Sequence, residues 1–321
     1  MTQRFRLWPM AALLSVFASQ SLALAPCNGA DVRIISPHGT GISDLMARVV
    51  AEQLTARLGQ TFYVEPVTGA GGAVGVRDLA EAAPDGCTLG IVGLSTLVVA
   101  PLVDDSVGYD PLADFSNIAM IGGGPAVLAV NAGLGITTFE QLTAAMTSGG
   151  LVPTLATPGR TTITAILPTA IFGRLGAKAV IVPFKDTAEA VVAAADKNVD
   201  AVSLTYSTMR EQIKAGALIP LYVSSPERLA DLPDVPTLAE LGQADLETLI
   251  WFGLSGPAGM DPAMVAELSA ATTAILSDAK ASEPLVKADA TVLGLDSAGM
   301  TEMLARQTKA YSAAIAQMTF E

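Results

Sequence analysis

Short apolar runs alternate with segments whose apolar positions recur every three or four residues, and this alternation persists along most of the chain. Residues 32–36 form a β-rich run that ends at the loop Pro37-His38-Gly39-Thr40-Gly41. Met46, Val49, Val50, Leu54 and Leu58 then fall at helical spacing, with Ser43 or Asp44 as the cap and Gly59 where a helix should stop. A second β-rich run, residues 61–64, breaks at Gly69-Ala70-Gly71-Gly72. Next come a helical segment over 73–83, a Pro84-Asp85-Gly86 turn and an apolar run over 89–92. Strand, glycine-rich turn, helix, turn and strand make one βαβ unit, whose crossover should be right-handed. In such units a ligand sits beyond the carboxyl ends of the strands, facing helix N-termini, and the expected ligand is an anion.

The pattern changes at the polar connection 110–117 and resumes after an apolar run over 126–131. Strands are predicted near residues 152–156, 179–183, 199–204 and 219–223, and helices near 139–147, 162–175, 187–195 and 208–215. Residues 225–242 are rich in proline and charge, which reads as a surface segment ending in a short helix. Another apolar run covers 249–254, and helical spacing returns over 262–276, 280–288 and 300–317. The alternation of strands and helices specifies an α/β protein. Pattern alone allows two sequential domains as well as two lobes that share strands.

Composition narrows the partners. With 51% hydrophobic residues in a chain of 321, one large or two medium domains with real cores can form. A net charge of −13 argues against nucleic acid or an anionic membrane surface as a partner. The chain has one histidine, His38, and two cysteines, which leaves no material for a Cys/His zinc cluster and little for a histidine-based triad. No metal or cofactor is expected. Arg4 and Arg6, an apolar stretch over 7–18 and Ala23-Leu24-Ala25 have the form of an export signal, with cleavage expected after Ala25. A retained anchor is the competing reading, and the stretch is short for a bilayer. Cleavage there leaves 16 basic against 31 acidic side chains. No later run approaches 18 apolar residues, so the exported protein should be soluble.

Several motifs in collinear order carry a resemblance. They are Val67-Thr68-Gly69-Ala70-Gly71-Gly72-Ala73-Val74-Gly75, Ala83-Pro84-Asp85-Gly86, Gly108-Tyr109-Asp110-Pro111, Val182-Pro183-Phe184-Lys185, Leu232-Pro233-Asp234-Val235-Pro236-Thr237 and Trp251-Phe252-Gly253-Leu254. Together they make the chain, from Val32 to its C-terminus, resemble the Bug (TctC-like) extracytoplasmic solute receptors of tripartite tricarboxylate transport. The resemblance implies a type II periplasmic-binding-protein fold, with two doubly wound lobes joined by a two-crossing hinge. The expected division is a signal peptide over 1–25, a first lobe over 26–126 completed by 249–321, and a second lobe over 127–248. Cys27 and Cys87 each precede a strand, and in a doubly wound lobe those strands should be parallel neighbours. A disulfide is therefore expected, with free thiols as the alternative. The family usually has Tyr at position 87.

The resemblance also implies a ligand site. The family's loop of proline, an aromatic and two glycines presents backbone amides to a carboxylate. Here it is one residue shorter, with His38 in the aromatic place and Gly39 and Gly41 split by Thr40 ahead of Ser43. His38 reads either as a ligand contact or as a packed side chain. On the second lobe, Thr157, Gly159, Arg160, Thr161 and Thr162 stand at a predicted helix N-terminus, in place of the family's Ser-Gly-x-Gly-Thr pattern. Arg160 admits two readings, a solvated loop residue and a bidentate carboxylate clamp. Asp186 caps the helix over 187–195 or accepts a ligand amine. Ser95, Thr96, Thr205 and Tyr206 end strands at the expected cleft and offer hydroxyls. Gly69-Ala70-Gly71-Gly72 is not a dinucleotide fingerprint, because Val74 stands where a third glycine is required; it reads as a tight turn.

The expected function is a monomeric periplasmic receptor that captures a small organic carboxylate and delivers it to the permease subunits of a tripartite tricarboxylate transporter. The alternative is a ligand-sensing accessory protein for a membrane sensor kinase. An exported hydrolase is disfavoured, since only His38 can serve as a histidine base and no G-x-S-x-G elbow occurs.

Overall fold

The computed structural model describes residues 26–315. The expected signal peptide lies outside the described residues, as do the last positions of the predicted C-terminal helix.

The first units follow the hydrophobic pattern. β1 (Val32–Ser36), α1 (Gly41–Leu58), β2 (Phe62–Pro66), α2 (Ala73–Ala80) and β3 (Thr88–Gly93) give three parallel strands in the order β2-β1-β3. α1 buries Met46, Val50 and Leu54, spaced one turn apart, against β1 and β2. It ends at Gly59, whose φ of 68° lets its N–H reach the Thr55 carbonyl. The helix starts earlier than the sequence suggests: Thr40, not Ser43 or Asp44, is the N-cap. Ser43 therefore lies inside the first turn, where its hydroxyl is free to bond His38. Asp44, also in that turn, pairs with Arg48 one turn on.

Cys27 and Cys87 form a disulfide. They come together because β1 and β3 are hydrogen-bonded parallel neighbours, with Arg33 opposite Thr88.

After β3 the chain passes through a π-type turn, Leu94–Val99, into α3 (Ala100–Val103) and then β4 (Phe115–Asn131). The alternation resumes with α4 (Phe139–Thr147), β5 (Thr154–Thr157), α5 (Ile163–Arg174), β6 (Val180–Pro183), α6 (Thr187–Ala195), β7 (Ala201–Thr205), α7 (Tyr206–Lys214) and β8 (Leu218–Val223). The chain finishes with β9 (Leu249–Pro257), α8 (Pro262–Ser277), α9 (Ala279–Lys287), β10 (Thr291–Leu295) and α10 (Ser297–Ile315). Periodicity assigned no element to residues 289–299, yet β10 forms there. Its tie to the fold is antiparallel pairing with β4, which local pattern does not report.

β4 is 17 residues long and belongs to both halves of the molecule. Up to Pro125 it pairs with β9 and β10, and from Ala126 onward it pairs with β7 and β8. The sequence suggested a strand only from residue 126, because Gly122-Gly123-Gly124-Pro125 has the signature of a break. Packing explains the glycines: a Cβ on Gly123 would lie 2.1 Å from the Ile250 carbonyl oxygen of β9. The crossing strands approach so closely that no side chain fits between them.

The result is two lobes, one built on β2-β1-β3-β9 with the first half of β4 and β10, the other on β8, the second half of β4, β7, β5 and β6. Where the chain passes between them, the buried Ser224 ties the two crossings together. Its hydroxyl accepts from the Ala126 N–H at 2.7 Å and donates to the Thr248 carbonyl at 2.7 Å. Backbone bonds between Ser224 and both Ala126 and Thr248 complete the join.

Candidate functional site

Five strand ends, those of β1, β3, β5, β6 and β7, and the segments that follow them meet between the lobes. From the first lobe come His38, the start of α1 (Thr40 to Ser43) and Ser95. From the second come Pro158, Thr162 and Thr164 at the start of α5, Thr187 at the start of α6, and Leu204, Thr205 and Thr208 around the start of α7. Ile250 and Phe252 of β9 complete the lining. The cavity measures about 40 Å³. On that scale one water needs about 10–15 Å³, so the space between the touching lobes holds three or four water-sized groups.

Its electrostatics come from backbone. α1, α5 and α7 begin at Thr40, Thr162 and Thr205, none of which caps its helix through the side chain. The first amides of those helices thus have no side-chain cap of their own. Two of the α5 amides are already engaged, the Ile163 N–H by the Ser95 hydroxyl at 3.1 Å and the Ala165 N–H by the Thr162 carbonyl at 3.0 Å. α6 also starts at the cavity, but Asp186 caps it by accepting from the Glu189 N–H. Each N-terminus carries the equivalent of about half a positive charge. No Asp, Glu, Lys or Arg lines the cavity.

His38 does not supply charge either. Nδ1 is 3.2 Å from the Ser43 hydroxyl, and the ring also bonds the Gly71 backbone. Its exposed part faces the cavity, while the ring packs edge-on against Phe252 at 5.9 Å between centroids. Burial lowers the imidazole pKa to about 4, against a smaller opposing effect of the Gly71 bond, so His38 is neutral at physiological pH.

The lobes touch around this cavity. The Thr40 and Thr187 hydroxyls lie 2.9 Å apart, and the Ser95–Ile163 bond also spans the cleft. At the turn predicted over 69–72, Gly71 packs directly on Gly159: a Cβ on Gly159 would sit 2.9 Å from both the Cα and the N of Gly71. Further out, Arg210 of α7 pairs with Asp289 at 2.7 Å and donates to the Lys287 carbonyl, reaching the end of α9 and the turn before β10.

Of the side chains singled out from sequence, His38, Thr40, Gly41, Ser43, Ser95, Thr162 and Thr205 come together at the cavity. Others serve its walls. Thr157 donates to the Gly159 carbonyl, and Thr96 closes its own turn through Gly93. Gly39, Gly159 and Thr161 stand outside the lining, as does Tyr206, whose hydroxyl donates to Asp231. Asp186 takes the capping role of its two readings. Arg160 is exposed and borders a separate groove beside Phe172 and Ile181, outside the cavity lining. Sequence reasoning missed Thr164, Thr187, Thr208 and Phe252. Two carried a usable signal: Thr187 opens a helix predicted from residue 187, and Thr208 lies three residues after Thr205, on the same helical face. Among the described residues no cluster of three or more His, Cys, Asp or Glu is arranged to hold a metal ion. No described helix is long and apolar enough to cross a membrane.

Comparison with known proteins agrees with this architecture. Residues 46–320 match the tripartite tricarboxylate transporter family receptor, TctC. Protein BugT of Bordetella pertussis is 30% identical over 275 residues, covering 81% of this chain and 82% of its own. The periplasmic binding protein BugD superposes with a TM-score of 0.83 at 26% identity, over 90% of this chain and 97% of its own. MatC from Rhodopseudomonas palustris, solved with bound malate, shares the fold with a TM-score of 0.82 at 24% identity, over 88% of this chain and 98% of its own. With a two-lobed α/β fold, a cleft built from helix N-termini and a family match over most of its length, the chain belongs to the tripartite tricarboxylate transporter receptor family.

Proposed function

We propose that this protein is a periplasmic receptor that closes its lobes over a small organic carboxylate and hands it, chemically unchanged, to the permease subunits of a tripartite tricarboxylate-type transporter. One observation carries the reading: helix N-termini from both lobes converge on a cavity that contains no charged side chain. Unpaired amides and aligned dipoles favour an anion. With no acidic side chain in the lining, a cation has no counter-charge there. Because the amides come from both lobes, the anion is fully satisfied only when the lobes are together. Ile42, Leu204, Ile250 and Phe252 exclude water and strengthen those hydrogen bonds.

His38, Thr40, Gly41, Ser43, Ser95, Thr162, Thr187, Thr205 and Thr208 are the residues we assign to the ligand. The lobe boundaries fall at 126/127 and 248/249, where Ser224 joins the crossings. Export follows cleavage after Ala25, and the Cys27–Cys87 disulfide suits an oxidising compartment. The receptor works as a monomer, since the cleft is complete within one chain.

Thermal shift against a panel of dicarboxylates, tricarboxylates, aromatic acids and acidic amino acids tests the proposal. At one hundred times the dissociation constant, a ligand should add about 2.7 kcal/mol of stability. A panel without a single stabilising acid refutes it.

A further inference from the structure

Eight hydroxyls line the cavity, and their protons can be assigned from the hydrogen bonds they already make. Thr162 Oγ1 donates to the Gly159 carbonyl at 2.9 Å, which uses its proton. The 2.9 Å contact between Thr162 and Thr164 must then be donated by Thr164. On the other lobe, His38 Nε2 packs against the Gly71–Gly72 turn, where the ring bonds the Gly71 backbone, which leaves Nδ1, 3.2 Å from the Ser43 hydroxyl, to accept from Ser43. Ser43 and Thr164 therefore face the cavity with lone pairs only. The other hydroxyls differ. Ser95 accepts from the Ile163 N–H and keeps its proton. In the Thr40–Thr187 and Thr205–Thr208 pairs, two hydroxyls share one bond, so each pair retains one proton for a ligand.

The cavity thus offers two kinds of partner: hydroxyl protons and helix amides for a carboxylate, and two oxygen acceptors that a bare carboxylate cannot use. A ligand complementary to both must carry a donor of its own. An ammonium group would be a donor, but the lining holds no carboxylate to pair with it, and Asp186 is engaged as a helix cap. A neutral hydroxyl needs no counter-charge.

We propose that the site selects hydroxy acids, its carboxylate held by the helix N-termini and its hydroxyl donating to Ser43 or Thr164. This rests on the carboxylate-receptor reading and specifies its ligand class. A site built to accept from a hydroxyl rejects the analogue that lacks it, because the acceptor is then left buried and unpaired.

The test is calorimetry on the exported chain with matched pairs, lactate against propionate and malate against succinate, with alanine as the amine counterpart of lactate. The expected result is a preference of about tenfold or more for the hydroxy acid within a pair. Ser43→Ala or Thr164→Val should move that ratio toward one, an effect that general loss of folding does not produce. Equal affinities within both pairs, tighter binding of alanine than lactate, or a ratio unchanged in the Ser43→Ala/Thr164→Val double variant overturns the inference while leaving the receptor reading standing. Absence of binding by every acid in the wider carboxylate panel overturns both.

Discussion

Ser224 offers the most direct test of how the two lobes are joined. Its side chain is fully buried, and its hydroxyl makes two 2.7 Å bonds, one to each strand crossing. Ser224→Ala removes both and leaves the Ala126 N–H and the Thr248 carbonyl short of a partner. A buried polar group left unsatisfied costs about 1–3 kcal/mol. The backbone bonds of Ser224 to the same residues remain and moderate the loss. About 2–4 kcal/mol is therefore expected, which lowers Tm by several degrees in a chain of this size. Denaturant titration gives the free energy and calorimetry the Tm. Ser224→Cys fills the space but bonds weakly, so it should share most of the loss. A Ser224→Ala variant within about 0.5 kcal/mol of the parent would mean that the hydroxyl does not hold the crossings.

Three further outcomes follow from the same geometry. Gly159→Ala places a methyl 2.9 Å from the Gly71 backbone, so the lobes cannot meet; carboxylate affinity should fall about tenfold or more with Tm nearly unchanged, and unaltered affinity on calorimetry would contradict the contact. The depressed pKa of His38, about 4 against 6.5, means the unfolded chain binds the extra proton first. Stability should therefore fall as pH drops from 6.5 towards 4, by up to about 3 kcal/mol, and the parent-minus-His38→Gln difference curve should carry that slope. The disulfide spans a sequence separation of 60, so Cys27→Ser/Cys87→Ser should lose about 4 kcal/mol in denaturant titration; a loss below about 1 kcal/mol contradicts the chain-entropy argument.

Much of this fold was legible because its strands and helices are short and locally specified. α4 and α6 fall on the residues that periodicity and capping predicted, and β9 begins at the predicted Leu249. The failures share a cause. β10 and the first half of β4 exist through pairing between distant strands, and the glycines that permit that pairing look like breaks when read locally. At the site, strand-end position located seven of the lining residues, since a strand end can be read from pattern. It did not decide between a residue that faces the cavity and its neighbour that faces away, which is why Arg160 was placed beside Thr162 and Thr187 was passed over for Asp186.

That distinction matters most for charge. Arg160 in the cleft would have made capture of an anion a matter of one cation meeting another group's negative charge. Instead, a chain with 31 acidic residues and an uncharged cavity must hold its ligand by short-range forces. The repulsion from the acidic surface is screened beyond about 8 Å at physiological salt. Inside the closed cavity, amides and hydroxyls act through a low dielectric over hydrogen-bond distances and outweigh it. The attraction therefore collapses once the lobes part, because the α5 and α7 amides leave with the second lobe while those of α1 stay with the first. A fixed guanidinium would keep its hold on the ligand in the open form. Dipoles divided between two lobes release it, and release is what delivery to a transporter requires.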